Sequence, residues 1–242
     1  MKWLTIILMS ITTVVCQNPS EAETLVQKTE EKFRSVNDYQ VDMTISIKIP
    51  AFRMPKKNYT VYFKQPDQIK IKSRGFGLLP RTGMFTSPIE NFNNLTNVQL
   101  SRNENLEAKN SVVLKGDLIV DSLSVDMPND YAKLTFKPQV RVMIDTANWV
   151  ITNVRTSIDT IKIMEISNTY DIVDDEFYLP TSSKVEYYVK DARFAKWIKQ
   201  DLGNIMGKNQ DLTSSSEMVR GEITVSYKNY RVNKGIDDKI FK

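Results

Sequence analysis

The chain has 242 residues, 41% of them hydrophobic and 26% charged, with a net charge of +4 and a pI near 8.9. That size and balance suit one large β-domain, and the charge is too mild for nucleic acid: no Lys/Arg block interleaves with aromatics as a nucleic-acid groove requires. There is no histidine, which excludes Ser-His-Asp and Cys-His nucleophilic mechanisms and His-based zinc sites together.

At the N-terminus, Lys2 precedes "WLTIILMSITTVV", an apolar run of signal-peptide length that is too short to span a bilayer. Cleavage after Cys16, or as late as Ala22 in "SEA", is the expected processing. Lipidation of Cys16 is the alternative, and Val15 argues against it because that position normally holds a small residue. The expected organisation is a signal peptide over 1–16 and a single domain over 17–242. Removing 1–16 leaves 32 basic against 29 acidic residues, or +3, and takes away the only cysteine. An exported domain without thiols must be stabilised by its core instead of by disulfides.

"NPSEAETLVQKTEEKFRSVNDY" carries Ser20 three residues before Glu23, a capping box, and then Leu25, Val26, Thr29, Phe33 and Val36 on one helical face. This predicts a helix over 20–36. From Tyr39 the period becomes two: "YQVDMTISIKIP" alternates Val41, Met43, Ile45, Ile47 and Ile49 with polar residues, predicting a strand of about 40 Å at ~3.3 Å per residue. "NYTVYFK" and "QIKIK" follow as a hairpin, with Val61, Phe63, Ile69 and Ile71 apolar and "KQPD" as its turn. The segment 74–96 is apolar but irregular, placing Phe76, Leu78, Leu79, Met84 and Phe85 among glycines and prolines.

Weaker strands are predicted near "NVQLSRN" and "SVVLKGD". A meander then runs through "YAKLTFKP", "QVRVMIDTANWVITNVRTSID", "TIKIMEISNTYDIV" and "EFYLPTSSKVEYYVK". Its short turns demand antiparallel pairing, because a parallel pair needs a long crossover. A second amphipathic helix is predicted over 191–206, with Phe194, Trp197, Ile198, Leu202, Ile205 and Met206 at helical spacing. "GEITVSYKNYRVN" supplies the last strand.

Catalytic patterns are absent. The acids in "VDDEF" and "GIDDK" are adjacent and sit in turn-like stretches, so they cannot converge as an acid/base pair. "GFG" at 75–77 lacks the Lys-Ser/Thr and the following helix of a phosphate loop. Asn58 and Asn94 head formal glycosylation sequons. No enzyme, cofactor or metal is expected. The fold class expected is mainly β (α+β): a large curved antiparallel sheet forming a half-open barrel, with the two helices over its concave apolar face. Where that face stays uncovered it would form an apolar cavity.

In order along the chain, these elements resemble the outer-membrane lipoprotein-sorting proteins, the LolA-like superfamily that also includes LolB-, LppX- and RseB-like domains. "VYFKQPDQIKI" resembles the family's strand–turn–strand hairpin, and "VMIDTANWVITNV" its strand–Asp–turn–strand element. "NTYDIVDDEFYLPTSSKV" resembles its Tyr-rich strand with the following Leu-Pro, and "VSYKNYRVNKGIDDKIF" its closing strand. Gln65 stands where the family's lipoprotein carriers often have Arg. The resemblance implies a half-open barrel in the periplasm that holds acyl chains of lipoproteins or lipids without catalysis, during transfer toward the outer membrane. It also implies an inner-membrane lipoprotein-releasing transporter and an outer-membrane acceptor as partners, and a monomer; a lipidated Cys16 would make it a membrane-anchored lipoprotein facing the periplasm. The expected lining is Met43, Ile45, Ile47, Val61, Phe63, Ile69 and Ile71 from the sheet. Phe76, Leu78, Leu79, Met84 and Phe85 would come from the loop, and Trp197, Ile198 and Leu202 from the second helix. The alternative function is an RseB-like envelope-stress or regulatory module that binds a peptide or membrane protein.

Overall fold

A computed structural model describes residues 20–49, 52–53, 55–73, 87–101, 110–119, 138–189 and 219–242. The first helix, α1 (Glu21–Arg34), starts where the capping box places it: the Ser20 hydroxyl accepts from the Glu23 N–H, and the Glu23 carboxylate accepts from the Ser20 N–H. Acids in its first turn and Lys32 and Arg34 in its last complement the helix dipole. Ala22, Val26 and Thr29 form its buried face.

The strands follow as β1 (Asp38–Ile49), β2 (Phe52–Arg53), β3 (Lys57–Lys64), β4 (Gln68–Ser73), β5 (Leu95–Leu100) and β6 (Ser111–Leu118). After them come β7 (Pro138–Asp145), β8 (Val150–Ile158), β9 (Ile161–Val173), β10 (Phe177–Val189) and β11 (Val219–Val232). All pair antiparallel in one sheet of order β4-β3-β1-β11-β10-β9-β8-β7-β6-β5, with the short β2 against β1. The two edges, β4 and β5, do not meet, so the sheet is an open, curved half-barrel with α1 as its helix. Register shifts in β1, β5, β7–β8 and β10 supply the local bends that curvature needs.

The last strand returns beside the first, and a loop cap locks the two. Asn37 N–H donates to the Asn233 side chain at 2.8 Å, and the Asp38 carboxylate accepts from the Lys234 and Gly235 N–H groups. Gly235, at φ 78, supplies the left-handed turn that brings both N–H groups round.

Two large blocks form most of the core, beside a smaller cluster of Val36, Leu179 and Val232. One consists of Val41, Met43, Ile45 and Ile47 of β1 with Tyr59, Val61, Val185, Ile223, Val225 and Tyr227 of the neighbouring strands. The other packs Ala22 and Val26 of α1 onto Leu114, Val140, Val142, Ile144, Ile151 and Val154. The opposite face carries a row of charges in direct register across six strands: Arg141, Arg155, Glu165, Glu186, Glu222 and Lys48. Three opposed glutamates would repel one another. Lys162 and Arg155 pair with Glu165, Lys184 with Glu186 and Lys48 with Glu222, which offsets that repulsion. The predicted strand over "YAKLTFKP" up to 137 and the predicted helix 191–206 lie outside the described residues.

Candidate functional site

Between α1 and the sheet lies an apolar cavity of about 160 Å³. The helix contributes Thr29, Lys32 and Phe33, and the turn after it Ser35 and Val36. Val150, Ile151 and Val154 of β8, Ile166 of β9, and Leu179 and Val185 of β10 form the floor, while Tyr39 and Phe63 close the end toward β1 and β3. Pro88 and Asn91, from a single 3-10 turn (Pro88–Asn91), form the opposite rim.

Rings dominate one end. Phe63 lies 5.6 Å from Phe33 and stacks 5.0 Å from Tyr39, which meets Tyr230 edge-on at 5.7 Å; Tyr170 stacks on Tyr178 at 5.6 Å. Two of the tyrosines turn their hydroxyls onto the backbone. The Tyr170 hydroxyl donates to the Ile151 carbonyl at 2.9 Å and the Tyr230 hydroxyl to the Pro180 carbonyl at 2.7 Å. Ser183 donates to the Asn168 amide oxygen, whose own NH₂ reaches the Ile151 carbonyl. Burial pushes the Tyr170 and Tyr230 hydroxyls up, well out of the range in which they could act as bases. With these hydroxyl and amide groups satisfied internally, the space between them is largely apolar and suits a hydrocarbon ligand.

Trp149 enters the cavity wall at a strained position. Its φ of 55 is unusual for a bulky residue, and it follows a turn fixed by Asp145, which accepts from the Ala147 N–H and the Asn148 side chain, both at 2.9 Å. Thr146 is tied in turn to the Asn110 carbonyl. The indole is thereby presented toward α1, where the Lys28 ammonium sits 4.6 Å above its ring.

Among the described residues, hydrogen bonds from two places hold α1 over the cavity. At the helix end, Gln65 of the β3–β4 turn donates its side-chain NH₂ to the Phe33 carbonyl at 3.2 Å, and its N–H to the Asn37 carbonyl at 2.8 Å. The Phe33 carbonyl also accepts from the Val36 N–H at 3.3 Å, so Gln65 adds a second donor at the helix end. One turn earlier, Glu30 accepts from the Ser87 hydroxyl, from the Ile89 N–H and from Arg34. Burial works to raise the Glu30 carboxyl, but Ser87, Arg34 and Ile89 outweigh it and hold it below the usual carboxylate range. A carboxylate thus docks α1 onto the 3-10 turn that forms the cavity rim.

Of the residues expected from the sequence, Phe63 lines this cavity. Met43, Ile45, Ile47 and Val61 are buried in the first core block, Ile71 packs against its edge, and Ile69, beside Phe63 in register, is 39% exposed. Phe76, Leu78, Leu79, Met84, Phe85, Trp197, Ile198, Leu202 and Cys16 lie outside the described residues. Phe33, Tyr39, Trp149, Ile151, Ile166, Tyr170 and Leu179 were not singled out from the sequence. Phe33 already stood on the predicted helical stripe, and the others lay in predicted strands without any mark of a site. Among the described residues, no helix is long and apolar enough to cross a membrane.

No protein-family model matches the sequence, and no curated protein matches it significantly. The structure, by contrast, has neighbours over nearly its whole length. A DUF1329 family protein from Desulfovibrio piger superposes with TM-score 0.51 at 9% identity, covering 93% of this chain and 98% of that one. A protein from Vibrio parahaemolyticus described as an outer membrane lipoprotein-sorting protein domain gives 0.50 at 11% identity, covering 91% and 97%. A LolA superfamily protein from Nitrosomonas europaea gives 0.48 at 14% identity, covering 93% and 98%. At such identities the likeness is one of architecture: the chain has a LolA-like fold.

Proposed function

We propose that this protein is a non-catalytic carrier of the bacterial envelope, acting in the periplasm, which holds an acyl chain of a lipid or lipoprotein between α1 and the concave face of the half-barrel. The observation that carries the reading is the apolar cavity under α1, whose hydroxyl and amide groups are turned onto one another and onto backbone carbonyls. Two further observations support it: the fold is shared with a protein described as a lipoprotein-sorting domain, and the N-terminus reads as an export signal.

The size of the cavity limits the mode of binding. At about 160 Å³ it matches an engineered apolar cavity of ~150 Å³ that accepts benzene, so it takes roughly six carbons of a chain. At ~0.8 kcal/mol per buried methylene this is worth about 5 kcal/mol, a grip in the submillimolar range. A longer chain needs α1 to lift, which breaks the Gln65 and Glu30 contacts and enlarges the apolar surface offered. Weak holding in the closed state and tighter holding once α1 moves suit a carrier that must release its load.

Native mass spectrometry of the protein isolated from a bacterial envelope, paired with titration of a fluorescent acyl probe, tests this. Co-purified lipid, or saturable probe uptake displaced by unlabelled acyl chains, is expected. Neither lipid nor uptake would sink the carrier reading. Recovery of a transmembrane regulator as a stable partner, with no lipid bound, would move the assignment to a regulatory module.

A further inference from the structure

We propose that the ligand of this cavity is an anionic, single-chain amphiphile: its tail lies among the apolar side chains and its acidic head is paired with Lys32. The inference rests on the acyl-binding reading above and adds the chemistry of the ligand's polar end.

Among the described residues that line the cavity, Lys32 is the one charged side chain and none is Asp or Glu. The lysine is half-buried on the last turn of α1. A lysine of this exposure lays its stem along apolar surface and keeps a strongly hydrated ammonium at the edge, where it is available to an anion. Among the described residues no carboxylate pairs with Lys32. The acid two positions before it, Glu30, is committed to Arg34, to the Ser87 hydroxyl and to the Ile89 N–H.

A second cation reinforces the same pole. Lys28 is one turn earlier on the same helical face, and its ammonium rests 4.6 Å above the ring of Trp149, itself part of the cavity wall. Ser35 and Asn91, which also line the cavity, add small polar groups beside an apolar floor. Among the described residues the site therefore has an apolar interior and a positive pole on its helix side, and the nearby Glu30 carboxylate is already committed to Arg34, Ser87 and Ile89. A cationic head would be repelled, a neutral head would leave Lys32 unpaired, and an anion satisfies it. With α1 in place, a volume of about 160 Å³ accommodates part of one chain and not several packed side by side.

The test compares cis-parinaric acid with its methyl ester, which share one fluorescent tail and differ only in the charge of the head. Both are titrated into the purified full chain and into the Lys32→Met and Lys32→Arg variants, with folding checked by circular dichroism. A half-buried charge-assisted pair is expected to make the acid bind about tenfold more tightly than the ester. Lys32→Met should weaken the acid to the level of the ester and leave the ester unchanged, while Lys32→Arg should keep most of the preference. Equal binding of acid and ester by the unmodified chain would overturn the anionic-head assignment and leave the acyl-binding reading standing. So would a Lys32→Met variant that weakens both probes alike, since that marks a structural lysine. Failure of both probes to bind the unmodified chain would remove the acyl-binding reading and this inference with it.

Discussion

The concave face of this sheet is built from two regions with opposite packing. Around β1, β3 and β11, aliphatic and β-branched side chains from neighbouring strands interlock and are almost wholly buried: Val41, Val61 and Val225 have no exposed surface. Beneath the C-terminal half of α1, rings set at 15° to 67° to one another wall one end of a cavity whose floor is Val150, Ile151, Val154 and Ile166. Short branched side chains fill a pleated surface to crystal-like density, while tilted rings and a cylinder do not. The difference shows that the strongest apolar alternation marks the part of the sheet that is finished, and the candidate site lies where packing is left incomplete.

Substitutions in the two regions should therefore behave differently, and the largest effect belongs to the filled one. Ile45→Ala leaves a void in a block with no slack and should cost about 3 kcal/mol in urea unfolding. Its acyl-probe affinity, measured well below the transition, should match that of the parent chain. A large loss of affinity without loss of stability would place the site in the aliphatic block and erase the distinction.

The opposite face gives a second control. Glu165 neighbours Ile166 on β9 but points away from the cavity, and its side chain is only 11% exposed while paired with both Arg155 and Lys162. Burial alone would raise its carboxyl, but Lys162, Arg155 and Asn153 overcome this and hold it down to about 2. Because the folded value lies below the ordinary one, the stability it contributes is fully present above the usual carboxylate range near 4.3 and is lost as pH falls toward about 2. Glu165→Gln should cost about 2 kcal/mol at neutral pH and flatten the acid limb of the stability profile, with probe affinity unchanged. An unaltered pH profile would show that the ion pairs contribute nothing net.

How much of this was legible from the sequence follows from the range of each signal. Ser20 and Glu23 fixed the start of α1, and period-two alternation fixed β1, β3 and β7–β11 closely, because caps and pleats are local. The hairpin turn at 65–67 was equally plain. The row from Arg141 to Lys48 was invisible, since it exists only once six strands are in register. The cavity was mostly invisible for the same reason: Val36, Trp149, Ile166 and Leu179 are far apart in the chain, and each looks like ordinary core. Phe63 was found because it is apolar on the right face, which is also why Met43, Ile45 and Val61 were grouped with it although they lie in the filled block. Trp149 could not have been anticipated as a wall residue, because a left-handed turn more often takes Asn or Gly.

Filling the incomplete region should separate binding from stability in the opposite sense. Ile166→Trp places extra volume at the cavity floor, where about 160 Å³ is open, so stability should change by under ~1 kcal/mol. Acyl-probe affinity should fall about tenfold or more, which corresponds to ~1.4 kcal/mol. If the variant binds the probe as before, the ligand does not use this cavity, and the aromatic region is merely a poorly packed part of the core.

The smallest expected effect tests how the two regions are joined. Gln65 sits on the turn of the hairpin that belongs to the filled block, yet its side chain reaches the Phe33 carbonyl on the helix that roofs the cavity. Gln65→Ala removes that hydrogen bond while sparing the backbone N–H contact to Asn37, and should cost about 1 kcal/mol or less. Its main consequence should be kinetic. With one of the polar contacts that hold α1 gone, the helix lifts more often, and stopped-flow traces should show the probe entering and leaving several-fold faster with a small change in equilibrium affinity. Glu30→Gln, which weakens the contact to Ser87 and Ile89, should act in the same direction, and the double variant should exceed either alone. Unchanged rates in both would mean that α1 is not the moving part and that the chain enters by another route. Faster exchange would show that a polar contact from the rigid block sets how long the looser region holds its ligand.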